Sequence, residues 1–317
     1  MILTLTPNPS IDRTITLAGA LARGQVQRVL SVTSQAGGKG VNISRASVSA
    51  GEPTVAVLPA AKDDPFVMEL LAAGIDCRPV TPAGDVRVNV TITEPDGTTT
   101  KLNSPGATVD AAHLEAMAGA LLARAPSASW TVLAGSLPHG APPEFYAAVV
   151  RRLRAIDARV AVDTSEAPLR ALVDALPDSA PDLMKPNGEE LASFTGGDAE
   201  ELESNPAKAA EAARTLVDRG VGAVLVTLGG NGAVLVTAEG AWHATPPPTT
   251  VVSTVGAGDS SLFGYLLGDI RGLPAPDRLA LAVAYGSAAA GLAGTTIPEP
   301  VHLRTDLINV TVLGGSA

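Results

Sequence analysis

Short apolar strands and amphipathic helices alternate through the second half of the chain, and this alternation limits the fold more than any other feature. The predicted elements are helix 110–123, strand 130–133, helix 143–155, strand 159–162, a short apolar pair at 183–184, helix 187–194, helix 206–218 and strand 223–227. This order predicts a mainly parallel sheet with helices on both faces. In such sheets, ligands bind beyond the carboxyl ends of the strands.

The first hundred residues predict a second, smaller sheet. Residues 10–17, 26–32 and 85–93 alternate between apolar and polar side chains, and a turn at 94–97 leads into a returning strand at 98–102. These strands are rich in Thr and Val and have one face free for another surface. We therefore expect a single domain over residues 1–317, with lid strands from about 11–34 and 86–103 inserted in it.

Charge and cysteine content exclude several functional classes. The 317 residues carry 22 basic and 32 acidic side chains, so the net charge is −10 and the chain has no general attraction for nucleic acid or anionic membranes. Cys77 is the only cysteine, which excludes an internal disulfide and fits a reducing compartment. Residues 279–298 are uncharged but mostly small, so they predict a buried helix rather than a membrane span. A cytoplasmic enzyme or binding protein is expected.

The segment from Val251 to Ser260 is the strongest candidate for a functional site. An extended apolar run passes Gly256 and Gly258 and enters a predicted helix, whose first backbone N–H groups have no partner inside the helix. Such amides form an anion cradle, and Asp259 beside it suggests a base next to a transferred phosphoryl group. The alternative is that Asp259 only caps the helix. Neither a dinucleotide fingerprint nor a P-loop is present.

A second glycine-rich entry to a helix lies at residues 35–42, before a helix predicted for 43–50. Glycines would allow close backbone approach, Lys39 would supply charge and Asn42 would bind hydroxyls, which together suggest a phosphate or sugar clamp. The alternative is a flexible loop with a solvated lysine.

Three further loops fall at the predicted carboxyl edge of the sheet, at 134–136, 185–187 and 227–232. Asn187 and Glu190 are three residues apart at a helix start, which suits Mg²⁺, although acidic residues that favour a helix N-terminus are the more common reason for such a pattern. Residues 227–232 predict either a plain hairpin or a shelf for a nucleotide. Arg87 lies in the small sheet, where a surface arginine is the simpler interpretation.

Five motifs together resemble the PfkB (ribokinase-like) family of carbohydrate kinases. They are residues 6–12 (TPNPSID), 37–42 (GGKGVN), 136–138 (SLP), 185–190 (KPNGEE) and 253–260 (STVGAGDS). The resemblance implies a three-layer αβα sandwich with a mainly parallel central sheet and a β-sheet lid, often shared in a homodimer. It also implies ATP and Mg²⁺, with K⁺ in some members. Residues 58–66 depart from the family because they lack its usual glycine-rich turn.

The resemblance also implies a role for each matching residue. Asp259 would be the base, and the N–H groups of Gly256, Ala257 and Gly258 would stabilise the transferring phosphoryl group. Sugar hydroxyls would bind Asp12, Gly38 and Asn42, and the phosphate end of the sugar would bind Lys39, Arg87, Asn89, Asn103 and Ser136. ATP would contact Lys185, Asn187, Thr227, Gly229, Gly232 and Gly258. Asn187 and Glu190 would act on magnesium, Glu190 through water, and the carbonyls of Ser253 and Val255 would face a monovalent cation.

Residues 86–90 and 247–254 resemble the phosphosugar branch of the family. This resemblance implies ATP-dependent phosphorylation of fructose 1-phosphate to fructose 1,6-bisphosphate. Tagatose 6-phosphate and fructose 6-phosphate are alternative substrates. A non-catalytic sugar-phosphate sensor is the alternative of another class, and Asp259 with its two glycines speaks against it.

Overall fold

The computed structural model describes residues 1–314, and residues 315–317, at the end of the predicted domain, lie outside this range. The strands are β1 (Ile2–Leu5), β2 (Ser10–Leu17), β3 (Val29–Gly37), β4 (Thr54–Pro59), β5 (Asp76–Val80), β6 (Arg87–Thr93), β7 (Thr99–Leu102), β8 (Trp130–Ala134), β9 (Val160–Asp163), β10 (Leu183–Met184), β11 (Ala223–Thr227), β12 (Ala233–Thr237), β13 (Gly240–Thr245) and β14 (Asn309–Leu313). The helices are α1 (Lys39–Ser49), α2 (Pro65–Ala72), α3 (Ala111–Leu122), α4 (Phe145–Arg154), α5 (Glu166–Asp174), α6 (Gly188–Thr195), α7 (Ala199–Ser204), α8 (Pro206–Val217), α9 (Ala257–Ile270) and α10 (Ala275–Ala290).

Ten strands form the main sheet, in the order β14-β13-β12-β11-β10-β9-β8-β1-β4-β5. The strands from β11 to β5 run parallel. The β12, β13 and β14 strands extend that sheet as an antiparallel edge. The predicted mainly parallel sheet is therefore confirmed, and the carboxyl ends of its parallel strands lie along one edge.

Helices cover both faces of this sheet, so the structure has the predicted three layers. Successive strand residues point to opposite faces: Leu3 belongs to an apolar cluster that includes residues of α3, α4, α5, α6 and α8, whereas Ile2 belongs to a second cluster that includes residues of α1, α9 and α10. The α9 and α10 helices approach each other closely because a Cβ at Gly264 would lie 2.5 Å from the Leu281 carbonyl oxygen. This contact fixes α9, whose first turn forms the candidate site.

The second sheet has four strands in the order β3-β2-β6-β7. The β2 strand pairs antiparallel with β3 and parallel with β6, and β6 and β7 form the predicted hairpin. Its exposed apolar side chains are Val29, Leu30, Val32 and Leu102. The predicted lid is therefore present, although β3 runs to Gly37 rather than ending near residue 32.

Several expected boundaries were wrong. The α1 helix begins at Lys39 rather than Ile43, so Lys39 and Asn42 lie in its first turns. The approach to α9 forms no strand: Val251 and Val252 are exposed, and the N–H groups of Val252 and Ser253 donate to the Ala290 carbonyl at 2.8 and 3.2 Å. The end of α10, and not a neighbouring strand, therefore positions this segment.

No helix within residues 1–314 is long and apolar enough to cross a membrane. The uncharged segment 279–298 lies in α10 up to Ala290, with Leu279, Leu281 and Tyr285 buried, which agrees with the predicted buried helix.

Candidate active site

The first turn of α9 presents free backbone amides. Gly256 has φ of 78°, a left-handed conformation that glycine adopts without strain, and this turn starts the helix. The Ala257 N–H donates to the Thr254 carbonyl at 3.3 Å. Within residues 1–314, the N–H groups of Gly256 and Gly258 have no hydrogen-bond acceptor. Two of the three predicted amides are therefore available to an anion, and the third is engaged in a turn.

Asp259 follows these amides and is 5% exposed. One of its carboxylate oxygens accepts a hydrogen bond from Asn42 Nδ2 at 2.8 Å, and the other lies 3.6 Å from Lys39 Nζ. Burial raises the pKa of Asp259, although the Lys39 charge opposes this shift. Asp259 is thus held by side chains of α1 and is a stronger base than an exposed aspartate.

Sequence analysis missed Asp163, the last residue of β9, which has no exposed surface. Lys39 Nζ lies 3.2 Å from both of its carboxylate oxygens, and Lys185 Nζ lies 3.3 Å from one of them. Burial alone would raise the pKa of Asp163, but the two lysines lower it overall. Its position at the carboxyl end of a buried parallel strand is the signal that predicts such a residue.

The Asp163 carboxylate links the glycine-rich segment 35–42, through Lys39, to the first turn of α9, through Lys185. Burial alone would lower the pKa of Lys39, but Asp163 and Asp259 raise it overall. The Lys185 ammonium lies beside α9, since a Cβ at Gly258 would be 3.3 Å from Nζ. Two buried carboxylates and two lysines therefore form one charged cluster at the edge of the sheet.

A polar cluster from the lid lies next to these groups. Asp12 on β2 accepts hydrogen bonds from Ser10 Oγ at 2.8 Å and Asn89 Nδ2 at 3.2 Å. The Oδ1 atom of Asn89 is buried without a partner among the described residues. Gly38 precedes α1 with φ of 116° and lies so close to Thr6 that a Cβ would be 2.7 Å from its methyl group. Asp12, Asn89 and Gly38 are thus brought together at the base of the lid.

Arg87 begins β6 and is not a plain surface arginine. Its Nη1 donates to the Ser104 carbonyl at 3.0 Å, and its Nε is buried without a partner in the described part of the chain. Burial lowers the pKa of Arg87. Arg87 lines a small cavity of about 30 Å³ with Asn8 and Asp85. Asn103 and Ser136 are exposed, and within residues 1–314 their side chains form no hydrogen bond with Arg87, Asn8 or Asp85.

A larger cavity of about 710 Å³ opens on the other side of the α9 turn. Its lining includes Asn187, Glu203, Thr227, Gly229, Gly230, Gly232, Ala233, Thr245, Pro246, Pro247, Pro248, Thr249, Val251, Thr254, Ala257, Gly258, Ser261, Val283, Gly286, Ser287 and Ala290. This volume suits a nucleotide-sized ligand. Residues 227–232 therefore serve both proposed purposes, since they form the hairpin between β11 and β12 and line the cavity.

Asn187 and Glu190 form a capping box at the start of α6. Asn187 Oδ1 accepts from the Glu190 N–H at 2.7 Å, and Glu190 Oε2 accepts from the Asn187 N–H at 2.9 Å. Burial raises the pKa of Glu190. Glu190 Oε2 and Asn187 Oδ1 are thus already engaged, and Glu190 Oε1 accepts no hydrogen bond within residues 1–314, so this pair fits a magnesium ion held through water.

Within residues 1–314, no group of three or more His, Cys, Asp or Glu side chains is arranged to hold a metal ion. The carbonyl oxygens of Ser253 and Val255 accept no hydrogen bond from the same part of the chain. Carbonyl oxygens of this kind fit a monovalent cation.

Comparisons with known proteins show the family of this chain. Residues 5–302 match the pfkB family of carbohydrate kinases. The chain thus belongs to the pfkB family of carbohydrate kinases and is a phosphotransferase.

The chain is 37% identical to the 1-phosphofructokinase of Rhodobacter capsulatus over 315 residues, which cover 98% of this chain and 97% of that protein. It is also similar to solved structures of phosphofructokinase-2 from Escherichia coli. The complex with substrates and products has a TM-score of 0.86, 27% identity and coverage of 96% and 97%, and the complex with potassium has a TM-score of 0.86, 28% identity and coverage of 96% of both chains. The tetrameric inhibited form has a TM-score of 0.82, 28% identity and coverage of 93% and 95%.

Proposed function

We propose that this protein transfers the terminal phosphoryl group of ATP to fructose 1-phosphate, giving fructose 1,6-bisphosphate. One observation carries the proposal: the buried carboxylate of Asp259 adjoins the free N–H groups of Gly256 and Gly258, where the nucleotide-sized cavity meets the polar cluster under the lid. The name of the Rhodobacter relative supports fructose 1-phosphate over tagatose 6-phosphate and fructose 6-phosphate.

In this proposal, Asp259 accepts the proton of the attacking sugar hydroxyl. Its raised pKa makes it a better acceptor than an exposed aspartate, and the Asn42 hydrogen bond keeps the carboxylate oriented. Phosphoryl transfer passes through a loose transition state, so positioning and charge stabilisation supply most of the rate. The amides of Gly256 and Gly258 supply fixed donors for the transferring group, as in an oxyanion hole.

The sugar phosphate lies under the lid in this account. Asp12, Gly38 and Asn42 face its hydroxyls, while Arg87 and Lys39 face its phosphate with Asn89, Asn103 and Ser136. The unpaired donor Arg87 Nε supports this assignment, because a buried guanidinium N–H without a partner is costly unless a ligand accepts from it.

The nucleotide lies in the larger cavity. Thr227, Gly229 and Gly232 contact it, and Lys185 and Asn187 lie at its phosphate end. Magnesium, held through water by Glu190 beside Asn187, would neutralise charge on the nucleotide phosphates. The potassium complex of phosphofructokinase-2 supports a monovalent cation at the carbonyls of Ser253 and Val255.

We further propose a homodimer formed through the lid, in a cytoplasmic enzyme with one domain over residues 1–317. The exposed apolar side chains of Val29, Leu30, Val32 and Leu102 on the small sheet support such an interface. The tetrameric form of phosphofructokinase-2 shows that a similar chain assembles.

An ADP-release assay over a panel of sugar phosphates tests the function. Fructose 1-phosphate should give a higher kcat/KM than fructose 6-phosphate, tagatose 6-phosphate or unphosphorylated fructose. Turnover confined to tagatose 6-phosphate would overturn the substrate assignment. If the pure protein binds sugar phosphate but releases no ADP with any sugar, the sensor interpretation replaces the kinase.

A further inference from the structure

The nucleotide cavity contains one charged side chain whose role nothing above explains. Among its lining residues within the described range, Glu203 on α7 is the only charged one. A carboxylate is unexpected where ATP, itself strongly anionic, is to bind. Unless Glu203 contacts the nucleoside end of ATP, it would weaken binding by repulsion.

The structure holds Glu203 in place. Its carbonyl oxygen accepts a hydrogen bond from Asn231 Nδ2 at 2.9 Å, which ties α7 to the turn at Gly229–Asn231. Its side chain lies over Gly188, where a Cβ would be 2.3 Å from Glu203 Cγ and 3.3 Å from its Oε1. The absence of a side chain at residue 188 therefore creates the space that Glu203 occupies.

The carboxylate itself is free to bind a ligand. Within residues 1–314 it forms no ion pair and accepts no hydrogen bond. An ionised carboxylate only accepts hydrogen bonds, and its two oxygens match two neighbouring hydroxyl donors. In a nucleoside triphosphate, such a pair of donors is the 2′- and 3′-hydroxyls of the ribose.

The residues that line the cavity indicate how a nucleotide would lie in it. Gly258, with Lys185 behind it, marks the phosphate end, and the apolar wall of Pro246–Pro248 and Val283 suits the base. Glu203 lies next to the turn at Gly229–Asn231, with its side chain against Gly188. We infer that Glu203 accepts hydrogen bonds from the ribose hydroxyls and thereby selects ribonucleotides. This inference rests on the proposed use of ATP.

A kinetic cycle of enzyme variant against nucleotide analogue tests the inference. The wild-type protein, Glu203→Ala and Glu203→Gln are assayed with ATP, 2′-deoxy-ATP and 3′-deoxy-ATP at saturating fructose 1-phosphate. At least one deoxy analogue should raise the wild-type KM by about tenfold, as expected for a lost charge-assisted hydrogen bond. Glu203→Ala should raise the KM for ATP by a similar factor and show no further loss with that analogue.

Two further variants control for indirect effects. Glu200→Ala removes an exposed carboxylate from the same helix outside the cavity and should leave every constant unchanged. Gly188→Ala keeps the carboxylate but displaces it and should reduce the discrimination against the same analogue.

The inference is overturned if the wild-type protein uses both deoxy analogues as well as ATP, or if Glu203→Ala discriminates as strongly as the wild type. It is equally overturned if Glu203→Ala instead loses discrimination between ATP and inosine triphosphate, because the carboxylate would then contact the base. Should the protein release no ADP with any sugar, the proposed function fails. Calorimetric affinities for ADP and 3′-deoxy-ADP would then decide the role of Glu203 separately.

Discussion

Replacing Asp163 with asparagine should affect both stability and catalysis. Asp163 is fully buried between Lys39 and Lys185, with Nζ–carboxylate distances of 3.2 and 3.3 Å. The substitution preserves the side-chain shape but removes the negative charge. Two ammonium groups then remain beside each other, with Asp259 as the nearest carboxylate to Lys39.

The size of the effect follows from burial. Removing one partner of a buried ion pair costs about 3–5 kcal/mol. The Lys39 side chain is 35% exposed, so water can solvate its ammonium group when the Asp163 charge is removed. The Lys185 side chain is 4% exposed, so its ammonium group would lose its partner without gaining water. We therefore expect about 3 kcal/mol, near the lower limit of that range. A chain of this size should then unfold roughly 4–5 °C lower.

The pH dependence of this stability difference follows from the lowered pKa of Asp163. A carboxylate with a lowered folded pKa stabilises the protein above its unfolded pKa, and this contribution is lost as pH falls through the folded value. The stability difference between wild type and Asp163→Asn should thus be full at neutral pH and shrink only in acid.

Catalysis gives a second measurement that a purely structural role would not change. The negative charge of Asp163 contributes to the raised pKa of Asp259. In Asp163→Asn the acidic limb of the kcat–pH profile should therefore move to lower pH, with reduced kcat.

Thermal unfolding and pH-dependent ADP release check both effects. Asp182→Asn is the matched control because Asp182 is exposed and, within residues 1–314, its carboxylate accepts a hydrogen bond only from the Val160 N–H, at the opposite end of β9. That variant should lose about 1 kcal/mol or less. A similar small loss in Asp163→Asn, with an unshifted pH profile, would refute the reasoning.

Three other substitutions test separate parts of the site. Arg87→Ala should raise the KM for fructose 1-phosphate about tenfold to a hundredfold, because a charge-assisted contact is lost, while the KM for ATP stays nearly constant. Steady-state kinetics measure both constants, and equal changes in the two would contradict the assignment of Arg87 to the sugar phosphate. Glu190→Gln should raise the Mg²⁺ concentration for half-maximal rate about tenfold, and an unchanged magnesium titration would remove Glu190 from the metal site. Leu30→Asp should convert dimers to monomers in sedimentation velocity, and a persistent dimer would place the interface elsewhere.

Local motifs predicted much of the site. The turn before α9 was recognised because its glycines, Asp259 and the following helical periodicity are contiguous in sequence. The placement of Lys185 and Thr227 at one edge followed from the predicted parallel sheet. Both inferences depend only on short-range patterns and general rules of α/β topology.

Other features depend on contacts between distant residues. Asp163 follows a predicted strand and so was open to recognition as a site residue, but its contact with Lys39 joins residues 124 positions apart and could not be predicted. The antiparallel strands β13 and β14 were not predicted because their pairing joins residues 240–245 to 309–313 and neither has a long aliphatic run. Glu203 lies in a short acidic helix that reads as solvent-exposed until its contact with Gly188 is known.

Asp259→Asn tests the central claim most directly. Burial raises the pKa of Asp259, so its ionised form destabilises the folded protein increasingly as pH rises above the ordinary carboxyl range. The variant should therefore be at least as stable as the wild type at neutral pH, and calorimetric affinities for ATP and fructose 1-phosphate should change little. ADP release should fall by about 10²–10⁴-fold, as expected for loss of a general base. A stable variant with full ligand binding and nearly wild-type turnover would contradict the account.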